Sequence, residues 1–74
     1  MWTPKEHDLV ILTEPCSVDM GILTKIGTKG TIVSVLQGAY YVEIADGEFE
    51  GEIAVVLATQ MVLDESKNDK HTNL

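Results

Sequence analysis

The sequence has no arginine, one cysteine, two prolines and four aromatic residues among its 74 positions. Each scarcity excludes something. With five lysines against twelve acids, a net charge of −7 and no arginine, the chain lacks both the cationic excess that phosphate binding needs and the commonest base-reading side chain. Direct binding of nucleic acid is therefore not expected. Cys16 alone can form no internal disulfide, and no His/Cys grouping has zinc-ligand spacing, which predicts a cytoplasmic protein without a structural metal. The longest apolar runs, Leu9 to Leu12 and Ile53 to Ala58, fall far below the roughly 20 residues of a membrane helix. Met1 to Glu6 carries no signal-peptide core, so neither membrane insertion nor export is expected.

The organising stretch is Lys25 to Ile44. It reads as a glycine-punctuated turn feeding two strands, because Thr31, Ile32, Val33 and Val35, then Tyr40, Tyr41, Val42 and Ile44, are β-branched or aromatic types that suit a pleated, half-buried surface. Gln37-Gly38 between them is a hairpin signal. Gly27 and Gly30 bracket Thr28-Lys29, where glycine can take positive φ and turn the chain into the strand. The Gly27-Thr28-Lys29-Gly30-Thr31 string fails the phosphate-loop pattern, since it is one residue short and leads into a strand rather than a helix.

Taken in order, residues 1–6 are a lead-in in which Trp2 is large enough to fold back onto the body. Residues 7–63 are a single β domain, and residues 64–74 are a disordered acidic and polar tail. His7 to Thr13 is the first strand, apolar on both faces. Glu14-Pro15 ends it and opens a long loop anchored by Val18, Met20, Ile22 and Leu23. The hairpin follows, with its second strand over Ala39 to Ala45, and Asp46-Gly47 reverses the chain. Beyond it Glu48, Glu50 and Glu52 alternate with Phe49, Gly51 and Ile53, which predicts a row of three carboxylates on the wet face of an extended segment. Ile53 to Leu57 continues as a fourth, more evenly buried strand. Ala58 to Gln60 is the length of a helical turn, and Met61 to Leu63 that of a closing fifth strand. Five short strands with turn signals and no credible helix predict an all-β fold, a small barrel or strongly bent sheet.

The residues that carry the hairpin also carry a resemblance. Gly27-Thr28-Lys29-Gly30-Thr31-Ile32-Val33-Ser34-Val35 resembles the glycine-turn-strand motif of KOW and other SH3-like barrels. Asp8 to Thr13, Gly30 to Val33 and Ala39 to Ile44, taken in that order, look like the small bacterial domain family of unknown function DUF4926, over about residues 7–63. The resemblance implies a five-stranded SH3-like barrel and names no activity. KOW domains are usually basic, whereas here only Lys25 and Lys29 lie near the turn, so their RNA-binding role does not carry over.

No catalytic constellation is present. His7, His71, Cys16, Ser17 in a loop and Ser34 in a strand stand in no recognisable setting, and the chain is read as not an enzyme and as needing no cofactor. A Cys16/His7 nucleophile pair is conceivable, yet a lone cysteine is more often a small buried hydrophobe. Asp46, Glu48 and Glu50 depart from calcium-loop spacing and are explained equally by a solvated turn. What remains is a cluster of five acids within ten residues, Glu43, Asp46, Glu48, Glu50 and Glu52, with no lysine among them and Tyr40, Tyr41 and Phe49 in the same hairpin. Carboxylates beside an aromatic suit a surface that docks a basic protein patch, with Tyr41 as the aromatic contact. The bland reading is a solvated hairpin face.

Three functional classes fit. One is a binding module that engages a basic partner protein, as an immunity, antitoxin or assembly factor. Another is an acidic nucleic-acid mimic of phage or mobile-element origin, blocking a DNA- or RNA-binding enzyme. The third is an accessory module with a small-ligand site between loops. A homodimer through Met61 to Leu63 or through the first strand is the expected mode of self-association.

Overall fold

The computed structural model of the chain describes residues 2–68. Five antiparallel strands, β1 (Leu9–Leu12), β2 (Lys29–Leu36), β3 (Ala39–Ile44), β4 (Ile53–Val56) and β5 (Met61–Leu63), form one sheet in the order β4-β3-β2-β1-β5. A 3-10 turn (Ala58–Gln60) joins β4 to β5, and one helical turn, α1 (Glu65–Asn68), follows β5. Every strand lies within a few residues of its sequence-based bounds.

The sheet curls because β2 serves two neighbours. Its first residues pair with β1 (Leu9 with Thr31, Ile11 with Lys29), while its whole length pairs with β3, with a register shift between Ile32 and Ser34 that bends the strand. β1 then pairs with β5, Leu12 opposite Met61. The free side of β4 is met by the β1–β2 connection, where Val55 donates its backbone N–H to Ser17 O at 3.1 Å. With the 3-10 turn between β4 and β5, this is the small five-stranded SH3-like barrel expected from the sequence. β1 lies inside the sheet, flanked by β2 and β5, so it cannot serve as the dimerising edge. β5 is one terminal strand.

Alternation fills the core. Val10 and Leu12, Ile32, Val42 and Ile44, and Val56 point inward and are fully buried, each contributing about 1.5–3 kcal/mol relative to exposure. Trp2, Val18, Tyr40 and Phe49 pack against them from the periphery. Trp2 does fold back, its Nε1–H donating to Asp8 Oδ2 at 3.0 Å.

The connection after β1 is a loop as expected, and of its four expected anchors Val18 packs against the core while the other three do not. Cys16 and Thr24 are buried and bonded to each other twice, Cys16 N–H to Thr24 Oγ1 at 3.0 Å and Thr24 N–H to Cys16 O at 2.9 Å. Met20, Ile22 and Leu23 stay in solvent, because the loop doubles back as a tight turn with Ile22 N–H on Asp19 O. Of the two glycines that bracket Thr28-Lys29, Gly27 has φ +93° and makes the turn into β2. Gly30 has no positive φ; it is required for space, as β2 and β3 pack too closely there for a side chain.

The domain also extends past Leu63. Asp64 is only 4% exposed, and its backbone N–H bonds Leu9 O at 2.8 Å, so Asp64, expected to open the tail, belongs to the folded body. Residues 69–74, with His71, lie outside the described residues.

Candidate functional site

The β3–β4 hairpin brings together the residues singled out in the sequence, in two groups. Tyr41 and Glu43 stand on the outward face of β3, since the intervening Val42 and the following Ile44 are buried. Tyr41 pairs with Ser34 on β2 and Val55 on β4, and Glu43 with Thr31 and Ile53. Asp46, Glu48, Glu50 and Glu52 belong to the connection, and all are exposed.

The expected row of three carboxylates on an extended segment is not formed. Residues 48–51 make a turn, with Glu50 N–H on Gly47 O at 3.2 Å and Glu52 N–H on Phe49 O at 2.9 Å. Gly47 precedes it at φ +81° and Gly51 closes it at φ +90°. Phase gives the reason. Ala54 and Val56 face the core, so an extended chain back to Glu48 would aim Glu52, Glu50 and Glu48 inward as well. The turn breaks that phase and delivers the acids to solvent. It also tucks Phe49 against the core, leaving Tyr41 as the exposed aromatic of the hairpin.

Asp46 is the one member with a structural role: its Oδ1 accepts the Lys29 N–H at 3.3 Å, tying the loop to the start of β2. Among the described residues, none of the five carboxylates lies within ion-pair distance of a lysine. The group therefore presents concentrated negative charge held in no ion pair among the described residues, with Lys25 the cation on the cleft shared by Asp46 and Glu48. Clefts of about 240 Å³ and 140 Å³ touch this loop, smaller than a site that encloses a small ligand. A third cleft of about 380 Å³ lies where Lys29 and Gly30 pass Leu9 and Val10. Its acids are engaged internally, Asp46 by Lys29 and Asp64 Oδ1 by the Ser66 hydroxyl at 2.7 Å.

The Cys16/His7 pair is not assembled. The thiol donates to Glu14 O at 3.3 Å and lies 3.8 Å from Gln60 Oε1, while His7 gives its backbone N–H to Ile32 O on β2. Burial, and secondarily the negative charge of Glu14, push the Cys16 pKa up, the opposite of nucleophile activation. Among the described residues no three His, Cys, Asp or Glu side chains converge as a metal site.

Sequence reasoning missed the apolar neighbours of Tyr41. Ile53, Val55 and Leu57 belong to a run expected to be evenly buried, yet all three are exposed. An unbroken apolar run gives no sign of which side is wet; the register beside Tyr41 does. No family model, curated protein or solved structure matches this chain.

Proposed function

We propose that this chain is a non-catalytic, cytoplasmic protein-binding module that engages a basic surface of another protein through its acidic β3–β4 hairpin, in the manner of an immunity, antitoxin or assembly factor. The observation that carries this reading is the exposure of Glu43, Asp46, Glu48, Glu50 and Glu52 on one hairpin with no lysine among them. Like charges held close on a small domain cost stability, and a cationic partner offsets that cost on binding. Tyr41 supplies an amphipathic contact beside the acids, of the type enriched at interfaces. The mimicry of nucleic acid stands second. Small size, acidity and the absence of arginine favour it, while the turn at 48–51 groups the carboxylates rather than spacing them along a strand.

The test is affinity capture from the source cell with the intact protein beside a Glu48→Lys, Glu50→Lys, Glu52→Lys variant, followed by mass spectrometry. A basic protein retained by the intact chain alone and indifferent to added DNA or RNA supports the module. Release by nucleic acid moves mimicry ahead. Equal retention by both proteins overturns the role of the hairpin.

A further inference from the structure

The outward face of β2, β3 and β4 carries apolar side chains that the core does not use. Antiparallel partners place their side chains on the same face of a sheet. Val55 therefore lies beside Tyr41, and the bridges from Val55 to Ser17 and from Ser17 to Leu23 continue the row onto the β1–β2 connection. Ile53 and Glu43 are partners in the adjoining row. Tyr41 and Ile53 are each 39% exposed, Val55 48% and Leu23 54%. Single exposed apolar residues are ordinary, but a contiguous set across neighbouring strands marks a contact surface. Tyrosine at its centre offers large area for the loss of few rotatable bonds.

Charge selects the occupant. Glu43 stands inside the patch and Glu48, Glu50 and Glu52 lie in the loop that continues from it, against a single lysine on the outward side of these strands, Lys29 at the start of β2. Two copies meeting through this face would set these acids against their own duplicates, which disfavours self-association here. A cationic surface meets no such penalty, and its complementary charge speeds encounter and fixes register.

Resting on the protein-binding reading above, we propose that the outer face of β2, β3 and β4, centred on Tyr41, Ile53 and Val55, docks a segment of a partner protein that presents alternating apolar and lysine or arginine side chains. The apolar side chains cover Tyr41 and Val55, and the cationic ones pair with Glu43 and the loop acids. Area lost from water supplies the affinity, and charge supplies the selection.

The test is an amide-resolved NMR titration of the full chain with two probes, a synthetic peptide alternating leucine and lysine, and an oligolysine of equal length. The leucine–lysine peptide is expected to shift the signals of Leu23, Tyr41, Ile53 and Val55, while oligolysine binds more weakly and moves only residues 46–52. In a Tyr41→Thr, Val55→Thr variant, which puts strand-compatible β-branched residues at both positions, the affinity for the leucine–lysine peptide is expected to fall about tenfold. Should that variant lose its dispersed spectrum, the wild-type shift map and the comparison of peptides decide the matter alone. Equal affinity for the two peptides, with shifts confined to residues 46–52, overturns the docking face and leaves the acidic-hairpin reading standing. No shift with either peptide removes both. Concentration-dependent shifts at Tyr41 and Val55 without peptide assign the face to a second copy, and overturn the proposal as well.

Discussion

Gly30 and Val42 meet across the β2–β3 pair so closely that a Cβ on residue 30 would lie 2.5 Å from Val42 Cγ1 and 2.7 Å from the Glu43 carbonyl oxygen. The second contact is with backbone and cannot be relieved by a rotamer change. Gly30→Ala is therefore expected to cost about 1–3 kcal/mol by overpacking, read as a lower urea midpoint with an unchanged slope. A neutral Gly30→Ala would mean that β2 and β3 are not in this register.

Met20 occupies φ +49° at the tip of the Asp19–Ile22 turn and is 93% exposed. It precedes Gly21, at φ +84°, so the two central residues both have the left-handed backbone for which Asn-Gly is the preferred pair. Met20→Asn is expected to raise stability by about 0.5–1 kcal/mol, since asparagine tolerates that conformation and no packing is lost. Thermal unfolding of the two proteins checks the sign.

Trp2 reports on how the amino-terminal segment is held. Asp8 Oδ2 accepts the indole N–H at 3.0 Å and the Lys5 backbone N–H at 3.1 Å, and lies 3.9 Å from Lys5 Nζ. Asp8→Ala is expected to red-shift the tryptophan emission and to cost about 1 kcal/mol. Lys5→Ala, which removes only an exposed ion pair, is expected to change neither by a measurable amount.

Cys16 gives a pH signature. Its thiol pKa is raised in the folded chain, first by burial and then by Glu14, so the folded state holds the proton more tightly than the unfolded state. The associated stability is complete at neutral pH and is lost as pH rises past the ordinary thiol range, roughly 8.5, toward the raised folded value. Cys16→Ala should flatten that alkaline decline relative to the intact chain. A thiol reagent should label the native protein slowly, with a rate that tracks unfolding.

Local patterns were legible in the sequence where local physics decides. Met61–Leu63 and the turn Ala58–Gln60 follow from length and flanking residues, and the β2–β3 hairpin from β-branched types around Gln37-Gly38. What was illegible depends on distant partners. Nothing local to Leu9–Leu12 reveals that β5 covers its free side and removes it as an edge. The alternation of Glu48, Glu50 and Glu52 is mute about its phase relative to Ala54 and Val56, so it suits a strand and a turn equally well. Met20, Ile22 and Leu23 look like anchors because apolar residues usually are, whereas the small Cys16 and polar Thr24 close that loop through backbone and hydroxyl hydrogen bonds. The exposure of Tyr41, Glu43, Asp46, Glu48, Glu50 and Glu52 was legible in the sequence; their division between a sheet face and a turn was not.

The central claim is that the acidic hairpin binds a basic protein. Its most direct test is the dissociation constant of the protein captured by the intact chain, measured again with the Glu48→Lys, Glu50→Lys, Glu52→Lys variant at matched salt. These side chains are exposed and make no ion pair among the described residues, so the variant is expected to fold as stably as the intact chain. Weakening by at least about tenfold, shrinking as salt is raised, is the predicted result. An unchanged constant in a folded variant would contradict it.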